Sequence, residues 1–200
     1  MLVRGIQLVL AFCAILGSSN AFSQSRTGRM LVGTMVGGVT DSVARHLAQN
    51  MAMRYTVSNM DQREAPSAAQ GLRGAATDGS VLMVVFINSY YASIGRTPSP
   101  QAFSFMTPVA MLGEYQTNSG GGWLALFAPP GTPESVVRAI AGQARQALAN
   151  PPAIGGEYGA ALRYAPDMSA SALSQRMRFA PSAARLADDP KSVGGGASPK

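Results

Sequence analysis

The sequence predicts an α/β protein built as a single lobe of three layers with a mostly parallel sheet. Apolar runs typical of strands alternate with segments of helical period from residue 29 to residue 87. Residues 81–87 are a continuous apolar run after the turn signal Asp78-Gly79, which is typical of a strand buried on both faces of a parallel sheet. The 46% hydrophobic content and 13% charge exclude a disordered chain, and 200 residues suffice for one core.

The first half is predicted to be a strand–helix–strand–helix–strand unit with right-handed crossovers. The apolar residues of the first helix recur at helical spacing on one face. His46, the only histidine, lies on the opposite face of that helix, so we expect it to face solvent rather than to act in catalysis. The predicted elements are strand 29–34, the helix after Asp41, strand 55–58, a helix from Pro66 or Ser67, and strand 81–87.

The second half is predicted to contain strands on either side of a polar, glycine-rich junction. This junction, residues 116–122, is expected to be flexible. Thr132-Pro133-Glu134 has the pattern of a helix start, with Thr132 as the cap and Pro133 at the first helical position. The remaining predicted elements are strand 103–112, strand 123–128, the helix from Thr132, a turn of helix and a short strand within 158–164, and a last helix from near Ser169 with a kink at Pro181.

The N-terminus has the pattern of a secretory signal peptide. Arg4 supplies the positive charge, residues 6–16 form the apolar segment, and residues 21–23 offer a cleavage site. The apolar segment is shorter than the roughly 20 residues of a membrane span, although an uncleaved anchor is the alternative. Cys13 lies inside it, so the exported chain has no cysteine. The predicted organisation is a signal peptide at 1–23, the lobe at 24–189 and a disordered tail at 190–200.

The candidate site begins at Gly37-Gly38, between the first strand and the first helix. Glycine has no Cβ, so the backbone can turn sharply there and approach a ligand closely. Thr40 or Asp41 can cap the helix with a side-chain oxygen. Free N–H groups and the positive end of the helix dipole converge at such a terminus, which predicts an anion pocket. A tight connection without a ligand is the alternative.

A second group of polar residues follows the buried strand 81–87. Ser89 and Tyr90 come directly after Asn88. Ligands of open parallel sheets collect beyond the carboxyl ends of strands, so these residues are expected at the same edge as Gly37-Gly38. An ordinary strand-to-loop exit is the alternative.

Several kinds of chemistry lack their motifs in this sequence. One histidine and no exported cysteine leave no metal-ligand spacing, and the phosphate-binding and dinucleotide-binding glycine motifs are missing, so no metal or cofactor is predicted. The G-x-S-x-G element of esterases is also missing. The formal charge of +6 is scattered, without a basic stripe interleaved with aromatic residues, which argues against nucleic acid. The chain is predicted to bind rather than to catalyse.

Residues 36–45, which read Val-Gly-Gly-Val-Thr-Asp-Ser-Val-Ala-Arg, resemble the first-loop signature of Bug-type periplasmic substrate-binding proteins. These are the TctC-like receptors of tripartite tricarboxylate transporters. The resemblance implies a periplasmic protein of two α/β lobes that hold a small carboxylate or amide between them, with membrane components of the transporter as partners. It continues in register at residues 57–59, 75–79, 105–110 and 122–133. It assigns ligand contacts to Gly37, Gly38, Thr40 and Asp41, with Ser89 and Tyr90 on a second loop.

The sequence departs from the family pattern at three places. Residues 60–65 replace a glycine-rich loop, and Gly33-Thr34 replace a proline–aromatic pair. The junction 116–122 stands where family members carry a second lobe, a domain of about 100 residues. The resemblance therefore implies a periplasmic-binding-protein-like lobe formed from the N- and C-terminal parts of the family fold, with the second lobe excised near 116–122.

Two functions follow from this comparison. The first is a periplasmic solute-binding protein that serves as the receptor of a tripartite tricarboxylate transporter and binds a small carboxylate or amide. The alternative is a truncated, degenerate or repurposed lobe that acts as a non-receptor interaction module. In that case a homodimer is expected through the exposed lobe face, where the second lobe would have packed.

Overall fold

The computed structural model describes residues 27–61, 64–88, 99–117 and 120–179. These residues form a six-stranded sheet with helices on both faces. The strands are β1 (Gly28–Val32), β2 (Tyr55–Asn59), β3 (Val81–Asn88), β4 (Thr107–Thr117), β5 (Gly120–Ala128) and β6 (Leu162–Tyr164). The helices are α1 (Val39–Asn50), α2 (Ala65–Gly71), α3 (Glu134–Ala147), α4 (Gly156–Ala161) and α5 (Ala170–Phe179).

The strand order of the sheet is β2-β1-β3-β5-β4-β6. Strand β1 pairs in parallel with β2 and β3, whereas the β3–β5, β5–β4 and β4–β6 pairs are antiparallel. Strands β1 to β4 therefore run in one direction and β5 and β6 in the other. The predicted fold class, an α/β lobe whose sheet is mostly parallel, is confirmed, because four of the six strands run in the same direction. The sheet is mixed in its pairing because β5 lies between β3 and β4.

Strand β3 separates two hydrophobic cores. On one face Val84 belongs to a buried cluster with Leu47 of α1 and Ile140 of α3. On the other face Val85 belongs to a cluster that includes Leu173 of α5. Alternate side chains of β3 thus enter different cores, so neither face needs polar residues. This explains the continuous apolar run and confirms the prediction of a strand buried on both faces.

The prediction of a flexible junction at residues 116–122 is corrected for residues 116–117 and 120–122, which the structure describes as strand. Strand β4 continues to Thr117 and β5 begins at Gly120, and these two residues are paired across a hairpin. The ladder is made by backbone groups, so a polar, glycine-rich segment can extend it. Gly122 has a packing role, since a Cβ there would lie 2.6 Å from the Phe86 ring.

The strand predicted at residues 103–112 begins later than expected. Phe103 ends a 3₁₀ turn, Pro100–Phe103, and β4 starts at Thr107. The Phe103 ring is fully buried and stacks on Phe127 with centroids 5.9 Å apart. Its apolar character therefore reflects burial of one side chain rather than strand geometry.

The start of α3 differs from the prediction by one position. The helix begins at Glu134, and Pro133 occupies the cap position. The Thr132 hydroxyl donates to the Pro129 carbonyl at 2.7 Å and so stabilises the preceding turn instead of capping the helix. Helix α4 and strand β6 match the helical turn and short strand that were predicted within 158–164.

His46 was expected to face solvent and is less exposed than predicted. The side chain is half-buried, and its Nε2 lies 2.9 Å from the Ala147 carbonyl oxygen at the end of α3. Carbonyl groups in the last turn of a helix have no partner within the helix, so a ring N–H from the neighbouring α1 can satisfy this one.

Some predictions concern residues outside the described ranges. The signal peptide at 1–23, the kink at Pro181 and the tail at 190–200 are among them. In the part of the chain that the structure describes, no helix is long and apolar enough to cross a membrane.

Candidate functional site

The candidate site starts with a tight turn at Gly37. This residue has φ of +86°, in the left-handed region that side chains other than glycine rarely adopt. No atom lies within 4 Å of the position that a Cβ would take, so conformation rather than lack of space requires glycine here. Gly38 follows in extended conformation as the N-cap of α1, and its carbonyl accepts from the Ser42 N–H at 2.9 Å.

Thr40 or Asp41 was predicted to be the cap residue of α1, but the helix begins at Val39. The residue at the cap position is therefore Gly38, which has no side chain to cap the helix with. Asp41 is the third helical residue, and its Oδ2 accepts from the Gly37 N–H at 2.9 Å. The carboxylate thus accepts a hydrogen bond from a residue that precedes the helix, and this bond stabilises the turn at Gly37. Thr40 and Asp41 are both buried.

Asp41 has two further partners from different parts of the fold. Arg45 Nε donates to Oδ2 at 3.0 Å, one helical turn further along α1. Asn59 Nδ2, at the end of β2, donates to Oδ1 at 2.8 Å and lies 3.2 Å from the Thr34 carbonyl oxygen. Arg45 Nη2 also donates to Asn59 Oδ1 at 3.1 Å. This group of Thr34, Gly37, Asp41, Arg45 and Asn59, the Asp41 network, ties the ends of β1 and β2 to the start of α1.

The Asp41 carboxyl is ionised within this network. Burial alone would raise its pKa, but the hydrogen bonds from Arg45, Gly37 and Asn59 and the charge of Arg45 outweigh burial, so the pKa lies below its ordinary value. The guanidinium of Arg45 compensates the negative charge. An anion that approaches the start of α1 therefore meets no uncompensated carboxylate at Asp41.

The start of α1 offers backbone donors. N–H groups in the first turn of a helix have no carbonyl partner within the helix, and the dipole adds roughly half a positive charge at this end. Gly38 is exposed and Val39 is half-buried. The turn before them carries two exposed apolar side chains, Met35 and Val36. The arrangement can hold an anionic oxygen beside an apolar surface.

Ser89 and Tyr90 lie outside the described residues, and their predicted role stays a prediction. The structure does place the strand that precedes them. Val84 of β3 pairs with Val32, the last residue of β1, and β3 continues to Asn88 in the same direction. Four further residues correspond to about 13 Å along the strand. The described end of β3, Asn88, thus lies well beyond the level at which β1 ends.

Sequence reasoning missed Arg45 and Asn59 as parts of the site. Both carried a usable signal. Asn59 is the last residue of β2, so the rule that drew attention to Ser89 applies to it as well. Arg45 is four residues after Asp41 on a helix, the spacing of a side-chain ion pair. The hydroxyl oxygen of Thr34, which had no expected role, is buried without a hydrogen-bond partner among the described residues.

No group of three or more histidine, cysteine, aspartate or glutamate side chains that could hold a metal occurs among the described residues.

No family model and no curated protein matches the sequence. Solved structures match the fold. MatC from Rhodopseudomonas palustris, with bound malate, is 16% identical with a TM-score of 0.57, and the match covers 76% of this chain and 95% of that one. The periplasmic binding protein BugD is 12% identical with a TM-score of 0.57 over 76% and 93% of the two chains. A TctC solute-binding protein from Polaromonas is 10% identical with a TM-score of 0.53 over 78% and 97%.

These similarities establish the fold. The chain folds like periplasmic solute-binding proteins, and the likeness in fold to Bug- and TctC-type proteins that the sequence resemblance implied is confirmed.

Proposed function

We propose that this protein is a periplasmic solute-binding protein of the Bug or TctC kind, which holds the carboxylate of a small ligand at the start of α1. The observation that carries the proposal is the Asp41 network. It fixes the left-handed turn at Gly37 and compensates the buried charge beside the helix terminus. A preorganised helix start of this kind binds anions without further rearrangement.

The predicted site residues take different parts in this proposal. Gly38 and Thr40 supply contacts to the ligand, together with the N–H of Val39. Gly37 and Asp41 position the loop, because the Gly37 N–H is already donated to Asp41 and both Asp41 oxygens have protein donors. Ser89 and Tyr90, which follow β3 in the sequence, are included in the proposal as further ligand contacts.

Two further observations support a binding role. The fold is shared with proteins described as solute-binding, and one of them holds malate, which is a carboxylate. The net charge of +6 mildly favours an anionic ligand. Export to the periplasm and delivery to membrane components of a tripartite transporter belong to the same proposal, as does the expectation that the chain is not an enzyme.

The test compares two substitutions at Val39, the first residue of α1. Proline is well tolerated at this position, and the extended conformation of Gly38 (φ −77°, ψ 170°) suits a residue before proline. Val39→Pro removes one N–H donor, while Val39→Ala keeps the donor and controls for loss of the valine methyl groups. Calorimetric titration with carboxylates should show binding at least about tenfold weaker for Val39→Pro than for Val39→Ala, since charge-assisted hydrogen bonds contribute about 1.5–3 kcal/mol.

Ligands for that titration come from a thermal-shift screen of mono-, di- and tricarboxylates and amides. A ligand present at about 100 times its Kd should stabilise the fold by about 2.7 kcal/mol. Equal affinity of the two Val39 variants would remove the start of α1 from the site. No stabilisation by any ligand at millimolar concentration, together with a concentration-dependent dimer, would favour the interaction module instead.

A further inference from the structure

We infer that Met35 and Val36 form an apolar contact surface for the ligand, so that the site prefers a monocarboxylate with an apolar body to compact di- and tricarboxylates. This inference rests on the proposed function and specifies the ligand class of the same site.

The two side chains stand out by their exposure. Met35 is 77% exposed and Val36 is 70% exposed, and they are the exposed large hydrophobic residues among those that the structure describes. Single apolar side chains on a surface are common and need no explanation. Here both lie next to each other in one turn, and that turn leads directly into the candidate anion site.

Their exposure is imposed by the fold. The Thr34 carbonyl, just before Met35, is held by Asn59 Nδ2, and the Gly37 N–H, just after Val36, is held by Asp41. The segment is therefore tethered on both sides, which keeps Met35 and Val36 away from either hydrophobic core. The backbone that carries the two side chains is therefore already ordered before a ligand binds.

The apolar pair lies close to the proposed donors. The Met35 carbonyl oxygen is 3.7 Å from the position of a Cβ on Gly38, which shows how tightly the turn is folded. Val36 and Met35 precede the N–H groups of Gly38 and Val39 by only two to four residues in this turn, so we place the body of a bound carboxylate against them.

The charges in the Asp41 network favour one carboxylate over two. Arg45 is the cation of this network, and its Nε and Nη2 are already donated to Asp41 and Asn59. Its charge compensates Asp41, so a second ligand carboxylate would find little further compensation in the network.

The test is a homologous series of acetate, butyrate and hexanoate, with malate and citrate as compact polyanions, titrated by calorimetry into the full-length exported chain. The Kd should fall by roughly twofold to fourfold for each added methylene, as apolar burial predicts. The heat-capacity change should become more negative along the series. Malate and citrate should bind more weakly than hexanoate.

The double variant Met35→Ser/Val36→Ser should lose the dependence of the Kd on chain length, so that hexanoate no longer binds much more tightly than acetate. Met53→Ser, near the opposite edge of the sheet where β2 begins, is the matched control and should keep it. Urea unfolding, followed by fluorescence of the single tryptophan, shows whether each variant is folded.

The outcomes separate the two proposals. Three results would overturn the apolar surface and leave the anion site standing. These are a Kd that does not change with chain length although acetate binds, tighter binding of malate or citrate than of hexanoate, and a dependence on chain length that the double variant keeps. Absence of binding by every carboxylate overturns the proposed function together with this inference.

Discussion

The backbone N–H of Gly37 donates to the carboxylate of Asp41 at 2.9 Å, so the first turn of α1 fixes the turn from which the helix starts. The same carboxylate is held by Asn59, which lies 18 residues further along the chain. One buried side chain thus joins a local turn to the sheet, and the geometry of the candidate site depends on its charge.

Replacing Asp41 by asparagine should lower the free energy of unfolding by about 1–3 kcal/mol at pH 7, because the three hydrogen bonds to its charged carboxylate are lost or weakened. The folded-state pKa of Asp41 is lowered, so its contribution is present above the unfolded value of about 3.9 and is lost as pH falls through the lower folded value. Urea unfolding at several pH values should show the difference between parent and variant shrinking below about pH 4.

Glu134→Gln is the control for that experiment. Glu134 also forms an ion pair with an arginine one turn along a helix, Arg138, but both side chains are largely exposed. Loss of this ion pair should hardly change the free energy of unfolding. Equal effects of the two substitutions would mean that burial of Asp41 contributes nothing.

Gly37→Ala should destabilise the protein by about 1–2 kcal/mol, since a left-handed conformation is costly for alanine. The space around the Cβ position is open, so the effect isolates backbone strain. Gly38→Ala is the matched control, because Gly38 has φ of −77°. Chemical denaturation should place the Gly38 variant within about 1 kcal/mol of the parent, reflecting only the poorer capping by alanine. The opposite ranking would contradict the turn geometry.

Gly122→Ala should lower the free energy of unfolding by about 1–3 kcal/mol, because the added methyl group overpacks the site. The new Cβ would meet the Phe86 ring at 2.6 Å and the Ile87 carbonyl oxygen at 2.9 Å, and backbone cannot easily move away. Gly142→Ala on α3 has open space around it and should instead stabilise by about 0.5–1 kcal/mol. Thermal unfolding of both variants measures the contrast, and a tolerated Gly122→Ala would argue against the register of β3 and β5.

The Tyr55 hydroxyl should lose its proton at a higher pH than an exposed tyrosine. Burial, and then the charge of Asp78, raise its pKa to about 12, and its hydroxyl donates to the Gly79 carbonyl at 2.8 Å. The proton is bound more tightly in the folded state, so this contribution to stability is complete below about pH 10 and is lost as pH rises through the folded value. Ultraviolet titration of the phenolates should lose one late component in Tyr55→Phe. Asp78→Asn should retain that component, because burial is the larger cause.

The sequence was sufficient to predict those elements in which the local residue pattern agrees with the burial of the side chains. Residues 81–87 were predicted as a doubly buried strand because both faces of β3 enter hydrophobic cores, and the turn at Gly37-Gly38 was predicted because glycine permits it. The pairing of β4 with β5 was missed, since its ladder is formed by backbone hydrogen bonds that composition does not encode.

Long-range partners were also beyond sequence reasoning. The insertion of β5 between β3 and β4 depends on pairing of distant segments, as does the contact between His46 and Ala147. In the candidate site, Asp41 was predicted to matter, but its binding to Asn59 follows only from the parallel register of β1 and β2.

The β4–β5 hairpin also makes the molecule open to engineering. Thr117 and Gly120 face each other as the last pair of the ladder, and paired residues of antiparallel strands have Cα atoms about 4.5–5.5 Å apart. A guest domain spliced between them would leave and re-enter the sheet at nearly the same point, and each doubling of the inserted length costs only about 0.6 kcal/mol in closure entropy. Because β4 runs in the same direction as β1, a fluorescent protein placed there would lie at the edge of the sheet that carries the candidate site.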